Sequence, residues 1–193
     1  MPKLYFRHGT MNSSKTANLL MTAYNFTSQQ KKVILMKPIL DTRFGDKVIQ
    51  SRAVKGMTSD VIITPDMSDF SNILPVDCVL VDEAQFLSKS NIDGLRDLAM
   101  HTIVICYGLR TDYKTELFEG SKRLFEVADT IEEIKTSCGT CERKAVVNSK
   151  FIVLPDNTKK IVKSGSSKID LGCEEKYQAL CWGCYQHPLG LII

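Results

Sequence analysis

Gly9-Thr10-Met11-Asn12-Ser13-Ser14-Lys15-Thr16, near the start of the chain, restricts the fold more than any other feature of the sequence. It reads as a phosphate-binding loop of the form Gly-x-x-x-x-Gly-Lys-Thr, with Ser14 standing where the second glycine belongs. Such a loop works only between a strand and a helix. Tyr5-Phe6-Arg7-His8 precedes it and the helix-forming Ala17-Asn18-Leu19-Leu20-Met21-Thr22-Ala23 follows, which supplies that context. Backbone N–H groups and the positive end of the helix would gather the oxygens of a di- or triphosphate. Lys15 would reach the outer phosphates, Thr16 would offer its hydroxyl to magnesium, and Gly9 would permit the turn. A Cβ at Ser14 narrows the approach and, at positive φ, costs about 1 kcal/mol. The plainer alternative is a capped helix start, since Ser and Thr are common caps.

Cys78-Val79-Leu80-Val81-Asp82-Glu83 adds a second constraint: a buried-strand pattern that ends in adjacent carboxylates. In an open α/β sheet ligands bind at the carboxyl ends of the strands, so Asp82 and Glu83 should emerge beside the phosphate loop. Neighbouring side chains point in different directions, which suits Asp82 to the magnesium shell and Glu83 to an attacking nucleophile. A charged helix start after a strand is the alternative.

Elements alternate before the cysteines: strands at 3–8, 32–36, 61–63, 77–82 and 102–107, and helices at 14–27, 91–100 and 119–128. That order predicts an α/β fold with a parallel sheet flanked by helices. Ser90 with Asp93 suggests a capping box for a helix Ile92 to Met100, whose Ile92, Leu95, Leu98 and Ala99 share one apolar face. After Cys141 the character changes: 145–153 and 159–163 read as antiparallel strands joined by Pro155-Asp156-Asn157, and Gly165-Ser166-Ser167 falls in a polar stretch that suits a loop.

Four of the seven cysteines form two pairs, Cys138-Gly139-Thr140-Cys141 and Cys181-Trp182-Gly183-Cys184. Two such turns complete the closed tetrahedral set of a structural zinc site and leave no open position for catalysis. The separation of the pairs exceeds a short zinc ribbon, so a sizeable insert should loop out between them. Two disulfides remain the alternative, disfavoured by the odd cysteine count and the lack of a signal-like start. With 193 residues, 44% hydrophobic and 24% charged, the chain suits one ordinary domain plus a small appendage. A net charge of +3 does not imply nucleic-acid binding, and no apolar run approaches the roughly 20 residues of a membrane span. A cytoplasmic protein is expected.

Read together, the motifs give the chain a resemblance to the cytosolic thymidine kinase family, which joins a P-loop domain to a zinc-bearing lasso. Gly9 to Thr16, Lys37-Pro38 followed by Asp41-Thr42-Arg43, Asp82-Glu83-Ala84-Gln85-Phe86, Tyr107-Gly108-Leu109 and the two cysteine pairs occur in the family's order. Leu171-Gly172-Cys173-Glu174-Glu175-Lys176-Tyr177 is similar to its Gly-Gly-x-x-x-Tyr lasso segment, with Cys173 at the second glycine. The resemblance implies an ATP-binding domain over 1–135 and a lasso over 136–193, and transfer of the ATP γ-phosphoryl group to the 5′-hydroxyl of thymidine. It implies that Gly9, Thr10, Met11, Asn12, Ser13, Ser14, Lys15, Thr16, Asp41, Arg43, Asp82 and Gln85 bind nucleotide and magnesium, with Glu83 as base. Leu109, Tyr113, Phe118, Leu171, Gly172 and Tyr177 would contact the nucleoside, although Arg110-Thr111-Asp112-Tyr113 departs from the commoner Asp-Gly-Thr-Phe. Zinc at Cys138, Cys141, Cys181 and Cys184 would anchor the lasso, and a homotetramer is implied as well. Two other readings stay open: a nucleotide-dependent zinc-ribbon protein that is regulatory or binds nucleic acid, and a chain that binds nucleoside without turnover.

Overall fold

A computed structural model describes residues 2–43, 45–51, 53–155, 159–163 and 176–187. Six strands form one parallel sheet: β1 (Lys3–His8), β2 (Val33–Pro38), β5 (Val61–Ile63), β6 (Cys78–Val81), β7 (Ile103–Gly108) and β8 (Thr130–Glu133), in the order β5-β2-β6-β7-β1-β8. β3 (Val48–Ile49) and β4 (Met57–Thr58) pair as a small separate hairpin.

The period of two along each strand feeds two cores. Leu4, Phe6, Met36, Val79, Val81, Val104 and Cys106 pack on the face covered by α2 (Lys89–Leu98) and α3 (Glu119–Val127). Leu35, Cys78, Leu80, Ile105 and Tyr107 pack on the other, against Leu19, Leu20 and Ala23 of α1 (Lys15–Ser28). This two-sided burial explains why the strands read as continuous apolar runs. Gly120 of α3 lets that helix approach the turn after β6, because a Cβ there would lie 2.4 Å from the Ala84 carbonyl oxygen.

The capping box expected at Ser90 and Asp93 sits two residues earlier. Ser88 Oγ accepts from the Asn91 N–H at 3.2 Å and Asn91 Oδ1 accepts from the Ser88 N–H at 2.9 Å. Asn91 wins because its amide also donates to the Thr64 carbonyl at 2.9 Å, while Asp93 is drawn to Arg123 on α3 at 2.6 Å. The helix therefore starts at Lys89 and ends at Leu98, but Ile92, Leu95, Leu98 and Ala99 are buried together as expected.

Beyond the parallel sheet, β9 (Val147–Val153) pairs antiparallel with β10 (Lys159–Val162) and with β11 (Tyr177–Leu180), and the short helix α4 (Trp182–Gln186) follows. The first pairing was predicted; β11 was not, nor were β3, β4, β8 and α4. No helix among the described residues is long and apolar enough to cross a membrane.

Candidate functional site

β1 ends at His8 and delivers the chain into the phosphate loop beside the carboxyl end of β7, where the Gly9 N–H donates to the Gly108 carbonyl at 3.2 Å. Gly9 is required by close packing: a Cβ there would lie 2.5 Å from the Ile134 carbonyl oxygen. The loop then bends through left-handed backbone at Asn12 (φ 60°) and Ser14 (φ 63°). Ser14 thus occupies the conformation its missing glycine would favour, and its hydroxyl makes no capping bond to α1.

Not every amide of the loop faces outward. Those of Gly9, Met11 and Ser13 are used internally, by Gly108 O, Asn148 Oδ1 and Thr10 O respectively. Lys15 opens α1, and its ammonium donates to the Thr10 carbonyl at 2.7 Å.

β6 brings its two carboxylates to this loop as expected. Thr16 Oγ1 lies 3.1 Å and 3.3 Å from the two oxygens of Asp82. Burial, with the neighbouring charge of Glu83, pushes the Asp82 carboxyl up to about 7. A hydroxyl against a buried carboxylate is a hard-oxygen set suited to magnesium, and a divalent cation there would favour the carboxylate form.

Glu83 sits in left-handed backbone (φ 50°) shortly after the strand, next to Asp82. One carboxylate oxygen accepts from the Arg43 guanidinium and the other from the Gln85 amide. Gln85 Oε1 in turn accepts from the Leu109 N–H at 2.9 Å, so it braces Glu83 from behind and ties it to the end of β7.

Arg43 is delivered by the segment after β2. Its Nε donates to Asp41 Oδ1 at 2.8 Å, and Asp41 also pairs with Lys37 at 3.2 Å. Burial raises the Asp41 carboxyl, but the hydrogen bond and charge of Arg43, with the charge of Lys37, outweigh it and hold Asp41 below its usual range. Burial works against the charged form of Arg43, yet Glu83 and Asp41 hold its pKa above the ordinary value. Lys37 is fully buried, and its ammonium also donates to the Val48 carbonyl at 2.9 Å. Lys37 belongs to a motif legible in the sequence, but its spacing does not reveal this role.

These groups border a cavity of about 260 Å³ lined by Met11, Asn12, Ser14, Lys15, Thr16, Arg43, Glu83 and Leu109, closed by Gln50, Ser51 and Ala53. Gln50, Ser51 and Ala53 had no signal in the sequence. Asp82, Asp41, Gly9, Thr10 and Ser13 are buried and are not part of this lining.

The nucleoside candidates are divided. Leu109 lines the cavity just described, whereas Phe118 lines a neighbouring one of about 370 Å³ with Gln85, Phe86 and Asp112. Tyr113 is buried and lines neither; the Lys150 ammonium lies 5.3 Å from its ring and 5.9 Å from that of Tyr177 on β11. Leu171 and Gly172, with Cys173, lie outside the described residues.

The four paired cysteines converge although the pairs are far apart in sequence. The Sγ atoms of Cys138, Cys141, Cys181 and Cys184 all lie within 4.8 Å of one another, with Cys141 at 3.7 Å from Cys181 and 3.6 Å from Cys184. Bonds of about 2.3 Å from one zinc to four thiolates give sulfur–sulfur edges of roughly 3.8 Å, so the set fits a closed tetrahedral ion. The geometry favours this over the disulfide alternative, because the four sulfurs gather at one point at separations well beyond the roughly 2.05 Å of a disulfide bond. Backbone bonds fix the first turn: the Cys138 N–H donates to the Arg143 carbonyl at 2.7 Å and the Gly139 N–H to the Ala179 carbonyl of β11 at 2.8 Å.

Known proteins resemble this chain over nearly its whole length. Thymidine kinases of Streptococcus pyogenes serotype M28 and of Streptococcus agalactiae serotype Ia are 38% and 40% identical, over 97% of this chain and 99% of each relative. Among solved structures, the Legionella pneumophila ATPase DotB shows a loose likeness, at 15% identity and a TM-score of 0.38 over 74% of this chain and 43% of that one. The thymidine kinase family model matches residues 2–185, and by that match and those relatives the chain belongs to the thymidine kinase family.

Proposed function

We propose that the protein transfers the γ-phosphoryl group of ATP to the 5′-hydroxyl of thymidine, giving thymidine monophosphate and ADP. The observation that carries this reading is the convergence of Thr16, Asp82, Glu83 and Arg43 on the phosphate loop. Phosphoryl transfer needs positioning and charge stabilisation more than covalent help. Magnesium held by Thr16 and Asp82 would neutralise charge on the outer phosphate oxygens.

Glu83 is the base in this scheme. It takes the proton of the 5′-hydroxyl as that oxygen bonds to the γ-phosphorus and the bond to the β-phosphate oxygen breaks. Both its carboxylate oxygens accept in the structure, so the hydroxyl approaches a remaining lone pair or takes the place of one partner. Arg43 is the exchangeable one, because phosphate oxygens compete for its guanidinium, while Gln85 keeps the second oxygen in place. Asp41 and Lys37 keep Arg43 within reach throughout.

The same proposal takes 1–135 as the ATP-binding domain and 136–193 as the lasso closing over the nucleoside. The four thiolates would hold a structural zinc that returns the two ends of the lasso to one point. A cytoplasmic setting and a tetrameric assembly belong to this reading and rest on the family resemblance. The nucleic-acid alternative draws no support from the family match.

The test is to incubate the purified protein with magnesium, γ-labelled ATP and each deoxynucleoside in turn. Label is expected on thymidine. Label on another nucleoside but not thymidine would refute the substrate, and label on none would select binding without turnover.

A further inference from the structure

We infer that Asn148 is a positioning residue that fastens the cysteine-bearing sheet to the phosphate loop, so that nucleotide affinity depends on it. It lies in β9, where its register partner is Ala179 of β11, and is only 3% exposed. A polar amide buried in a strand is costly unless its hydrogen-bonding capacity is used. Asn148 spends both ends outside its own sheet. Its Oδ1 accepts from the Met11 N–H at 2.7 Å and its Nδ2 donates to the Thr111 carbonyl at 3.0 Å. These partners fix the amide orientation, since the first can only donate and the second only accept.

The position of this clip gives it consequence. Met11 immediately precedes Asn12, the first of the two left-handed residues of the loop, and such backbone persists only where the surroundings over-determine it. Gly9 is held from the end of β7 by Gly108 and Ser13 from within the loop by Thr10, whereas Met11 is held from β9 of the cysteine-bearing sheet. Thr111 lies two residues past Leu109, which lines the same cavity. Asn148 therefore sets the spacing between two walls of the site.

The clip is also continuous with the cysteine cluster. The Val146 N–H donates to the Leu180 carbonyl at 2.8 Å and the Gly139 N–H to the Ala179 carbonyl at 2.8 Å, so β9, β11 and the Cys138 turn form one unit. Behind the loop, Gly9, Thr10, Thr111 and Asn148 are among the residues that line one small cleft, so the clip and the base of the loop share a wall.

The inference rests on reading the loop as a nucleotide site, but not on the identity of the acceptor nucleoside. The experiment is calorimetric binding of magnesium-ATP to the full chain and to Asn148→Ala. Zinc content, unfolding temperature and hydrogen exchange of the peptide spanning residues 9–16 are measured alongside. The expected result is a dissociation constant weakened roughly 3- to 10-fold, faster exchange in that peptide, and unchanged zinc content. A purely structural role would lower the unfolding temperature while leaving affinity within two-fold and loop exchange unchanged, and that result would overturn the inference. If Asn148→Ala does not fold, Asn148→Ser keeps a polar side chain at the buried position and is judged by the same readings. Failure of the unaltered protein to bind ATP would overturn the nucleotide-site reading itself, and this inference with it.

Discussion

Replacing Ser14 by glycine sets two opposing effects against each other at the phosphate loop. Ser14 lies at φ 63°, ψ 27°, the left-handed region, where an L side chain costs about 1–2 kcal/mol relative to glycine. Removing the Cβ relieves that strain in the folded state, but the freer unfolded chain takes back about 0.4–1 kcal/mol. No capping bond is sacrificed, because the Ser14 hydroxyl makes none, and its exposed side chain contributes no buried area. The balance favours Ser14→Gly by roughly 1 kcal/mol, which for a chain of this size raises the unfolding temperature by about 2–4 °C. Strain present both with and without nucleotide does not alter affinity; only the lost Cβ beside the phosphates does. Magnesium-ATP affinity should therefore change by no more than about 5-fold, the equivalent of roughly 1 kcal/mol. Scanning calorimetry reads the first quantity and titration calorimetry the second. A lower unfolding temperature would refute the strain argument, and a rise from no activity to full activity would show that the natural loop is broken.

Three further outcomes follow from the geometry. Glu83→Gln keeps the shape of the side chain but cannot take the hydroxyl proton, so turnover should fall roughly 10²- to 10⁴-fold with folding retained; full turnover would remove Glu83 as base. Cys181→Ser takes one thiolate from the cluster and should lower zinc content, unfolding temperature and thymidine affinity together; unchanged affinity after verified zinc loss would separate the zinc from the lasso. His8 is held below its ordinary value by burial, with Arg110, Lys144 and Lys15 adding to the effect and Glu133 opposing it, and its ring packs against Phe6 and Phe125. Its folded pKa lies below the unfolded one of about 6.5. Its contribution is thus present above that pH and is lost as pH falls through the lower folded value. Unfolding temperature should drop more steeply from pH 7 to pH 5 for the unaltered protein than for His8→Asn, and parallel curves would sink the assignment.

Local chemistry made much of this protein legible from its sequence. The phosphate loop between strand and helix, the apolar run ending in Asp82-Glu83, and two Cys-x-x-Cys turns each depend on residues close in the chain, where spacing alone fixes geometry. The strain foreseen at Ser14 belongs to the same class, since a loop that needs glycine imposes its backbone on whatever residue replaces it. The burial of Ile92, Leu95, Leu98 and Ala99 likewise follows from helical spacing.

Packing between segments distant in sequence decided the rest. Ser88 and Asn91 form the capping box in place of Ser90 and Asp93, because the Asn91 amide is also anchored by a carbonyl of another loop. Lys37, Asp41 and Arg43 form a buried chain that ends on Glu83, although nothing in their spacing reveals that the last link is 40 residues away. β8 and β11 are short strands that take their place by pairing with β1 and β9, and their own composition carries little strand signal. Asn148 looked like one more polar residue in an antiparallel strand. Only the folded chain sets its amide between Met11 and Thr111, because hydrogen bonds across 137 and 37 residues are made by tertiary packing and leave no periodic trace in the sequence.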